Sequence, residues 1–162
     1  MISVVIATLN EERLLGPVLT ALVPAAVDGV VRQVIVVDGG SRDATVEIAK
    51  DAGADVLEVG GPIEARLAAG CARAKGDWLL FLDPTVLPPA GWEAAARAHI
   101  GRGTDQAVWF SPTRGGLLGG PPAAHGLLVS RVLLEESGGY SAGLARKLGR
   151  RLKRLAIRND GY

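Results

Sequence analysis

Residues 34–45 read VIVVDGGSRDAT. Val34, Ile35, Val36 and Val37 form an apolar, β-branched run with no polar interruption, the pattern of a strand buried on both faces. The run stops at Asp38. Gly39 and Gly40 allow backbone angles that a Cβ would forbid. Ser41 offers a hydroxyl to cap a following helix, and Asp43 falls in the first turn, where a negative charge suits the helix dipole. The stretch therefore predicts strand, glycine turn and helix, with one carboxylate at the strand's carboxyl end. In open α/β sheets, ligands bind at that edge.

The same grammar recurs outward from this stretch. Residues 2–8, ISVVIAT, predict a second buried strand, and Leu9 with Asn10 turns the chain. Asn10 suits a helix cap, followed by Glu11 and Glu12 in the first turn and apolar residues at helical spacing from Leu14 to Leu22. Pro17 interrupts that helix near its start, and 24–29 reads as a loop. A helix over 45–52, a strand over 55–59 and an alanine-rich helix over 63–74 come next. WLLFL at 78–82 predicts a strand that, like the opening one, ends on a carboxylate, Asp83. A helix at about 91–100 and a strand at about 106–111 complete the alternation. Residues 113–124 read as a glycine- and proline-rich loop, 126–129 as a strand, Ser130 as a cap and 131–137 as a short helix. Alternation of this kind predicts a mostly parallel sheet covered on both faces, with Asn10, Asp38 and Asp83 at one edge.

A chain of 162 residues suffices for one domain and one core. With 48% hydrophobic and 22% charged residues it has the composition of a globular protein rather than a disordered one. The single Cys71 excludes an internal disulfide and fits a reducing compartment. No apolar run approaches the roughly 20 residues that span a bilayer. The chain opens directly on a strand pattern, with no signal peptide, so a cytoplasmic location is expected.

The charge is unevenly placed. Residues 1–143 carry 11 basic and 16 acidic side chains, residues 144–162 carry 7 basic and 1 acidic. Leu144, Leu148, Leu152 and Leu155 are spaced as one face of a basic amphipathic helix over 144–162. Such a helix either lies on an anionic membrane surface, at the inner face of the membrane, or packs its leucines on the domain. Nucleic acid is disfavoured, because aromatics make up 4% of the chain and none interleaves with the basic residues before Tyr162.

Several residues carry candidate chemistry. Asp38, beside glycines that admit close approach, can accept hydrogen bonds from a ribose or a base; equally it can satisfy the backbone amides of its own turn. The stretch matches neither the P-loop nor the GxGxxG pattern. Asp83 suits Mg²⁺ or Mn²⁺ holding a substrate diphosphate, or else caps its own loop. Arg66, at the start of a helix, can reach a phosphate or base or lie on the surface. His125 is one of two histidines and reads more readily as structural. Ser111 and Ser130 lack a His–Asp partnership, and Cys71 among alanines reads as core.

Taken together, SVVIATLNEE, VIVVDGGSRDATVEIAKDAGADV, ARLAAGCARAKGDWLLFLD and LPPAGW resemble the family 2 glycosyltransferases, nearest to a bacterial subgroup whose second strand ends in VDGGS. The resemblance covers residues 2–92 and returns at 126–140, GLLVSRVLLEESGGY. It implies a Rossmann-like GT-A fold in which residues 1–100 form a nucleotide-binding half, 101–143 an acceptor-side half and 144–162 a basic appendage. It also implies sugar transfer from a nucleotide-diphosphate donor to an acceptor, lipid-linked in one reading. Carried over by position, Thr8 and Glu11 line the nucleoside pocket, Asp38 and Gly39 meet the base or ribose, Arg66 lies near the base or diphosphate, and Asp83 holds a divalent metal, Mg²⁺ or Mn²⁺.

Two positions depart from the pattern. Where the family shows D-x-D or H-A-D-T, this chain has Asp83-Pro84-Thr85, in a loop about one residue shorter. Where the family places an acidic pair after its GGF-like turn, Gly138-Gly139-Tyr140 is followed by Ala145 and Arg146 at the matching place, with no acid before Asp160. Loss of a general base costs an inverting displacement roughly 10²–10⁴ in rate. The alternative function is therefore a catalytically degenerate relative that binds a nucleotide or a partner.

Overall fold

The computed structural model describes residues 1–110, 125–155 and 157, with the main chain alone at His125. The strands are β1 (Ile2–Thr8), β2 (Val31–Asp38), β3 (Asp55–Glu58), β4 (Trp78–Leu82), β5 (Ala107–Trp109), β6 (His125–Ser130) and β7 (Leu152–Arg154). The helices are α1 (Glu12–Val27), α2 (Thr45–Asp51), α3 (Ile63–Arg73), α4 (Trp92–Gly101), α5 (Arg131–Glu136) and α6 (Leu144–Leu148), the last followed by a 3₁₀ turn at Gly149–Arg151. The strands form one sheet in the order β3-β2-β1-β4-β6-β5-β7. All neighbouring pairs are parallel except those of β6, which runs against both β4 and β5.

Every residue of β1 and β4 is buried, Ser3 and Thr8 of β1 included, as befits largely apolar strands covered on both faces. Alternate residues feed two layers. Ile2, Val4, Ile6, Leu80 and Leu82 pack with Leu15, Val18, Leu22, Ala49 and Ala96 of α1, α2 and α4. Val5, Ile35, Val37, Leu79 and Phe81 pack with Leu67, Leu133, Leu134, Leu144 and Leu148 of α3, α5 and α6. The chain leaves β1 for β2 and β3 on one flank, then crosses to β4 on the other. That change of direction sets a topological switch point between β1 and β4, and in open α/β sheets the crevice for a ligand lies outside the carboxyl ends of such strands.

Three local expectations are corrected. The segment 24–29 is not all loop: α1 runs through Pro24 to Val27. Burial of Leu19, Leu22 and Ala25 on the sheet outweighs the hydrogen bond each proline removes. Asn10 and Ser41 do not cap helices. Glu11 and Ala44 hold the cap positions without side-chain bonds, and both polar residues serve the site instead. In place of the described part of the basic amphipathic helix expected over 144–162, residues 144–154 form α6, the 3₁₀ turn and β7. Gly149 has φ 49 and ψ −121, angles outside any right-handed helix. Leu148 packs in the α3/α5 layer and Leu155 in the opposite one, so no single helical stripe could hold both. Ser130 does cap α5, accepting from Leu133 N at 3.2 Å. Ser111 and the 113–124 loop lie outside the described residues. No described helix is long and apolar enough to cross a membrane.

Candidate functional site

Parallel pairing of β1 with β2 puts Thr8 opposite Asp38 at the last register position. Thr8 Oγ1 donates to Asp38 Oδ1 at 3.0 Å, and Gly39 N donates to the Thr8 carbonyl at 2.8 Å. Asp38 is 1% exposed. Its Oδ1 also accepts from Ser41 Oγ at 2.5 Å, and Oδ2 accepts from the amides of Gly40 at 2.9 Å and Ser41 at 2.7 Å. Burial pushes its pKa up, but the Ser41 hydroxyl, the Ser41 and Gly40 amides and the Thr8 hydroxyl outweigh that and hold it below the usual carboxylate value. In this geometry the carboxylate builds the turn; all four donors come from the protein itself.

Arg66, on the second turn of α3, is 9% exposed and reaches the same point from below the sheet. Its Nη1 donates to the Thr8 carbonyl at 2.6 Å. Buried Arg66 Nε has no partner among the described residues, and no ion pair offsets the guanidinium. The group lies flat over Gly39, where an added Cβ would stand 2.9 Å from Nη1 and 3.2 Å from Cζ. Gly39 is therefore required for close approach, while Gly40, at φ 100, is the one that needs backbone freedom.

The two loops that cover this point are laced together. Asn10 sits at φ 56, a left-handed conformation that asparagine tolerates when its side chain bonds locally. Asn10 N donates to Ser41 Oγ at 2.8 Å, and Arg42 N donates to Asn10 Oδ1 at 2.9 Å. Glu11 N donates to Thr45 Oγ1 at 2.8 Å, and Glu12 N to Asp43 Oδ2 at 3.2 Å, while Glu12 Oε2 accepts from Ala44 N at 3.2 Å. Asn10, Ser41 and Thr45 thus frame the site in a way that no reading of single helix caps could anticipate. Their only sequence signal is that both loops begin at strand ends that the register makes neighbours.

Asp83 leaves β4, the strand beside β1 on its other side, and is half-buried. Its Oδ1 accepts from Thr85 N at 2.8 Å and Thr85 Oγ1 at 2.5 Å. Burial, then the charges of Asp83 and Asp43, push the Glu11 carboxyl up, which places Glu11 and Asp83 in one electrostatic neighbourhood across the crevice. No group of three or more His, Cys, Asp or Glu converges as a metal site among the described residues. The arrangement brings Thr8, Asp38, Gly39 and Arg66 into contact and sets Glu11 and Asp83 alongside. The cavity of about 280 Å³ between α1 and the starts of β2 and β3 lies at the opposite edge of the sheet and contains none of them.

Residues 3–126 match the family model described as glycosyl transferase family 2. A glucosyl-3-phosphoglycerate synthase from Mycolicibacterium paratuberculosis is 39% identical over 99 residues, covering 54% of this chain and 29% of its own. The chain thus spans less than a third of that curated relative. Glucosyl-3-phosphoglycerate synthase from Mycobacterium tuberculosis, in a crystal structure with Mn²⁺ and UDP-glucose, aligns with a TM-score of 0.71 at 26% identity, over 99% of this chain and 72% of its own. TarS from S. aureus, residues 1–349, shares the fold with a TM-score of 0.76 at 18% identity, over 97% and 58% of the two chains.

Proposed function

The chain belongs to glycosyl transferase family 2, and from that premise we propose that it binds a nucleotide-diphosphate sugar at the carboxyl edge of β1, β2 and β4 and transfers the sugar to an acceptor. The observation that carries this reading is the buried Arg66 guanidinium beside Thr8, Asp38 and Gly39, which bonds a backbone carbonyl but has no ion-pair partner among the described residues. A nine-tenths buried cation without a carboxylate is unfavourable unless an anion completes it, and the diphosphate or a base carbonyl of such a ligand would do so. Residues 1–100 supply this half of the site, and residues 101–143 are assigned to the acceptor.

The Asp83 carboxylate keeps one oxygen, Oδ2, without a hydrogen bond among the described residues. That donor set fits a Mg²⁺ or Mn²⁺ ion shared with the ligand's diphosphate rather than one held by protein alone, since hard cations at diphosphates take one or two protein carboxylates. When bound, the ion would neutralise the diphosphate and ease its departure. Asp83 would hold it, and its charge would also relieve the repulsion that raises Glu11. Thr85 orients Asp83, and the Asp38 turn fixes the β2–α2 loop against which the nucleoside would rest.

A second reading, a nucleotide- or partner-binding relative without turnover, is favoured by Thr85 at the place of the family's second acid and by Ala145 and Arg146 on α6. Calorimetry with UDP-glucose and a GDP-sugar, with and without Mn²⁺, combined with an assay for released nucleotide, separates the readings. Transfer predicts binding that Mn²⁺ strengthens, turnover above background, and loss of both gains in Asp83→Ala. Binding without turnover selects the second reading; unchanged turnover in Asp83→Ala rejects the proposed metal ligand; and no nucleotide binding at all overturns both.

A further inference from the structure

We propose that the outer edge of the sheet at β7 is a docking surface for an anionic lipid bilayer, with a phospholipid headgroup seated in the cleft between α4 and β7. The cleft holds about 500 Å³ and is lined by Arg102, just past the end of α4, and by Lys153 and Arg154 of β7. Ala94, Ala95, Ala98, Val108 and Leu155 give it an apolar lining beside His99 and Gln106, and no carboxylate lines it. β7 is the last strand of the sheet, so no further strand covers this flank among the described residues.

The three cations are exposed and lack an anionic partner among the described residues. Their neighbour Arg151 shows the contrast: Nη1 lies 2.9 Å from Glu136 and Nε 3.8 Å from Asp105. Charges on an edge strand also discourage pairing with another chain. That role accounts for Lys153 and Arg154, but not for Arg102, which comes from a different element and faces the same cleft.

The combination of cationic rim and apolar lining selects the ligand. A phosphate headgroup would meet the Arg102 guanidinium and the Lys153 ammonium, with Arg154, which leaves β7 on the opposite face, adding charge at the outer edge, while the glycerol and the start of an acyl chain would cover the alanine, valine and leucine lining. A nucleic acid would also satisfy the charges, but no tryptophan, tyrosine or phenylalanine lines the cleft to stack a base. Of the 7 basic residues in 144–162, Lys153 and Arg154 line this cleft, so the contact with a membrane runs through a strand edge and a cleft, not through an amphipathic helix. This proposal stands apart from the nucleotide-sugar reading, whose residues lie on β1, β2, α3 and the β4 end.

Vesicle flotation of the full chain tests it, using phosphatidylcholine alone and phosphatidylcholine mixed with an equal part of phosphatidylglycerol. The protein should float with the anionic vesicles and not with the neutral ones, and raised salt should release it. Each cation near an anionic surface contributes a factor of roughly five. Arg102→Gln alone should therefore weaken partitioning roughly 5-fold, and the triple variant Arg102→Gln, Lys153→Gln, Arg154→Gln roughly 100-fold, with nucleotide binding as in the parent. No flotation with anionic vesicles, equal flotation with neutral ones, undiminished flotation of the variants, or displacement by an equally charged oligonucleotide would each overturn the proposal. If the triple variant also lost nucleotide binding, its fold would be in question and the single Arg102→Gln variant decides.

Discussion

Replacing Asp38 with alanine separates a carboxylate that builds the site from one that touches a ligand. The substitution removes the common acceptor of two hydroxyls and two amides, all within 3.0 Å of it, at a position 1% exposed. A buried donor left unmade costs about 1–3 kcal/mol. The two hydroxyls can rotate toward other acceptors or water, and the Gly40 and Ser41 amides are only part-buried in the turn, so about 1–3 kcal/mol in all is expected. That is a large share of the roughly 5–15 kcal/mol that holds a typical domain together. Because the folded carboxyl is held below its ordinary value, its contribution is fully present above the unfolded value near 3.8 and fades as pH falls through the folded one. Urea unfolding of Asp38→Ala at neutral pH should show this loss, and the gap between parent and variant should begin to narrow only as pH falls below the unfolded value near 3.8. If Asp38→Ala unfolded within about 0.5 kcal/mol of the parent while losing nucleotide affinity, the carboxylate's main role would be ligand contact and this account of the turn would be wrong.

Gly126, the second residue of β6, sits at φ 75, and a Cβ there would lie 2.3 Å from the Phe110 ring. Gly126→Ala should therefore lower stability by about 2–4 kcal/mol through overpacking and left-handed strain together, read as a shifted urea midpoint with unchanged slope; a shift below about 0.5 kcal/mol would refute the packing. Cys71 has its thiol pushed up to about 12 by burial, with the Arg131 charge opposing. Its alkylation by iodoacetamide near pH 8 should be far slower in the native protein than in urea, because the thiolate is the reactive form; equal rates would show that the thiol is not shielded.

The strands were legible because β4 is an unbroken apolar run and β1 and β2 each carry one, residues 4–7 and 34–37, and a run of that kind has few other structures open to it. Asp38 and Asp83 were legible as strand-end carboxylates for the same reason. The lacing of Asn10, Ser41 and Thr45 was not, since a side chain that fits a helix cap also fits a neighbouring loop 31 to 34 residues away in sequence, and only the strand register decides between them. The last segment misled because leucines at 144, 148, 152 and 155 satisfy a helical period while serving opposite faces of a sheet. Gly149 was the local contradiction to that period, and it marks where the helix ends.

The two halves of the crevice differ in how completely the protein satisfies its own charges. On the β2 side Asp38 receives four hydrogen bonds and is finished without a ligand, while Arg66, 9% exposed and donating to a backbone carbonyl, is not. On the β4 side Asp83 keeps one oxygen without a hydrogen bond among the described residues, and burial first, then the charges of Asp83 and Asp43, push the Glu11 carboxyl up. An unsatisfied cation and a pair of repelling carboxylates on either side of one crevice are complementary to a ligand that carries both negative charge and a bound cation. A metal-bound nucleotide diphosphate meets both conditions at once; a free phosphate would satisfy only Arg66, and a free cation only Asp83. Mn²⁺ and nucleotide should therefore each raise the other's affinity by the same factor, as linkage requires. Calorimetric titration of each in the presence and absence of the other measures that factor, and independent binding would show that the two halves do not form one site.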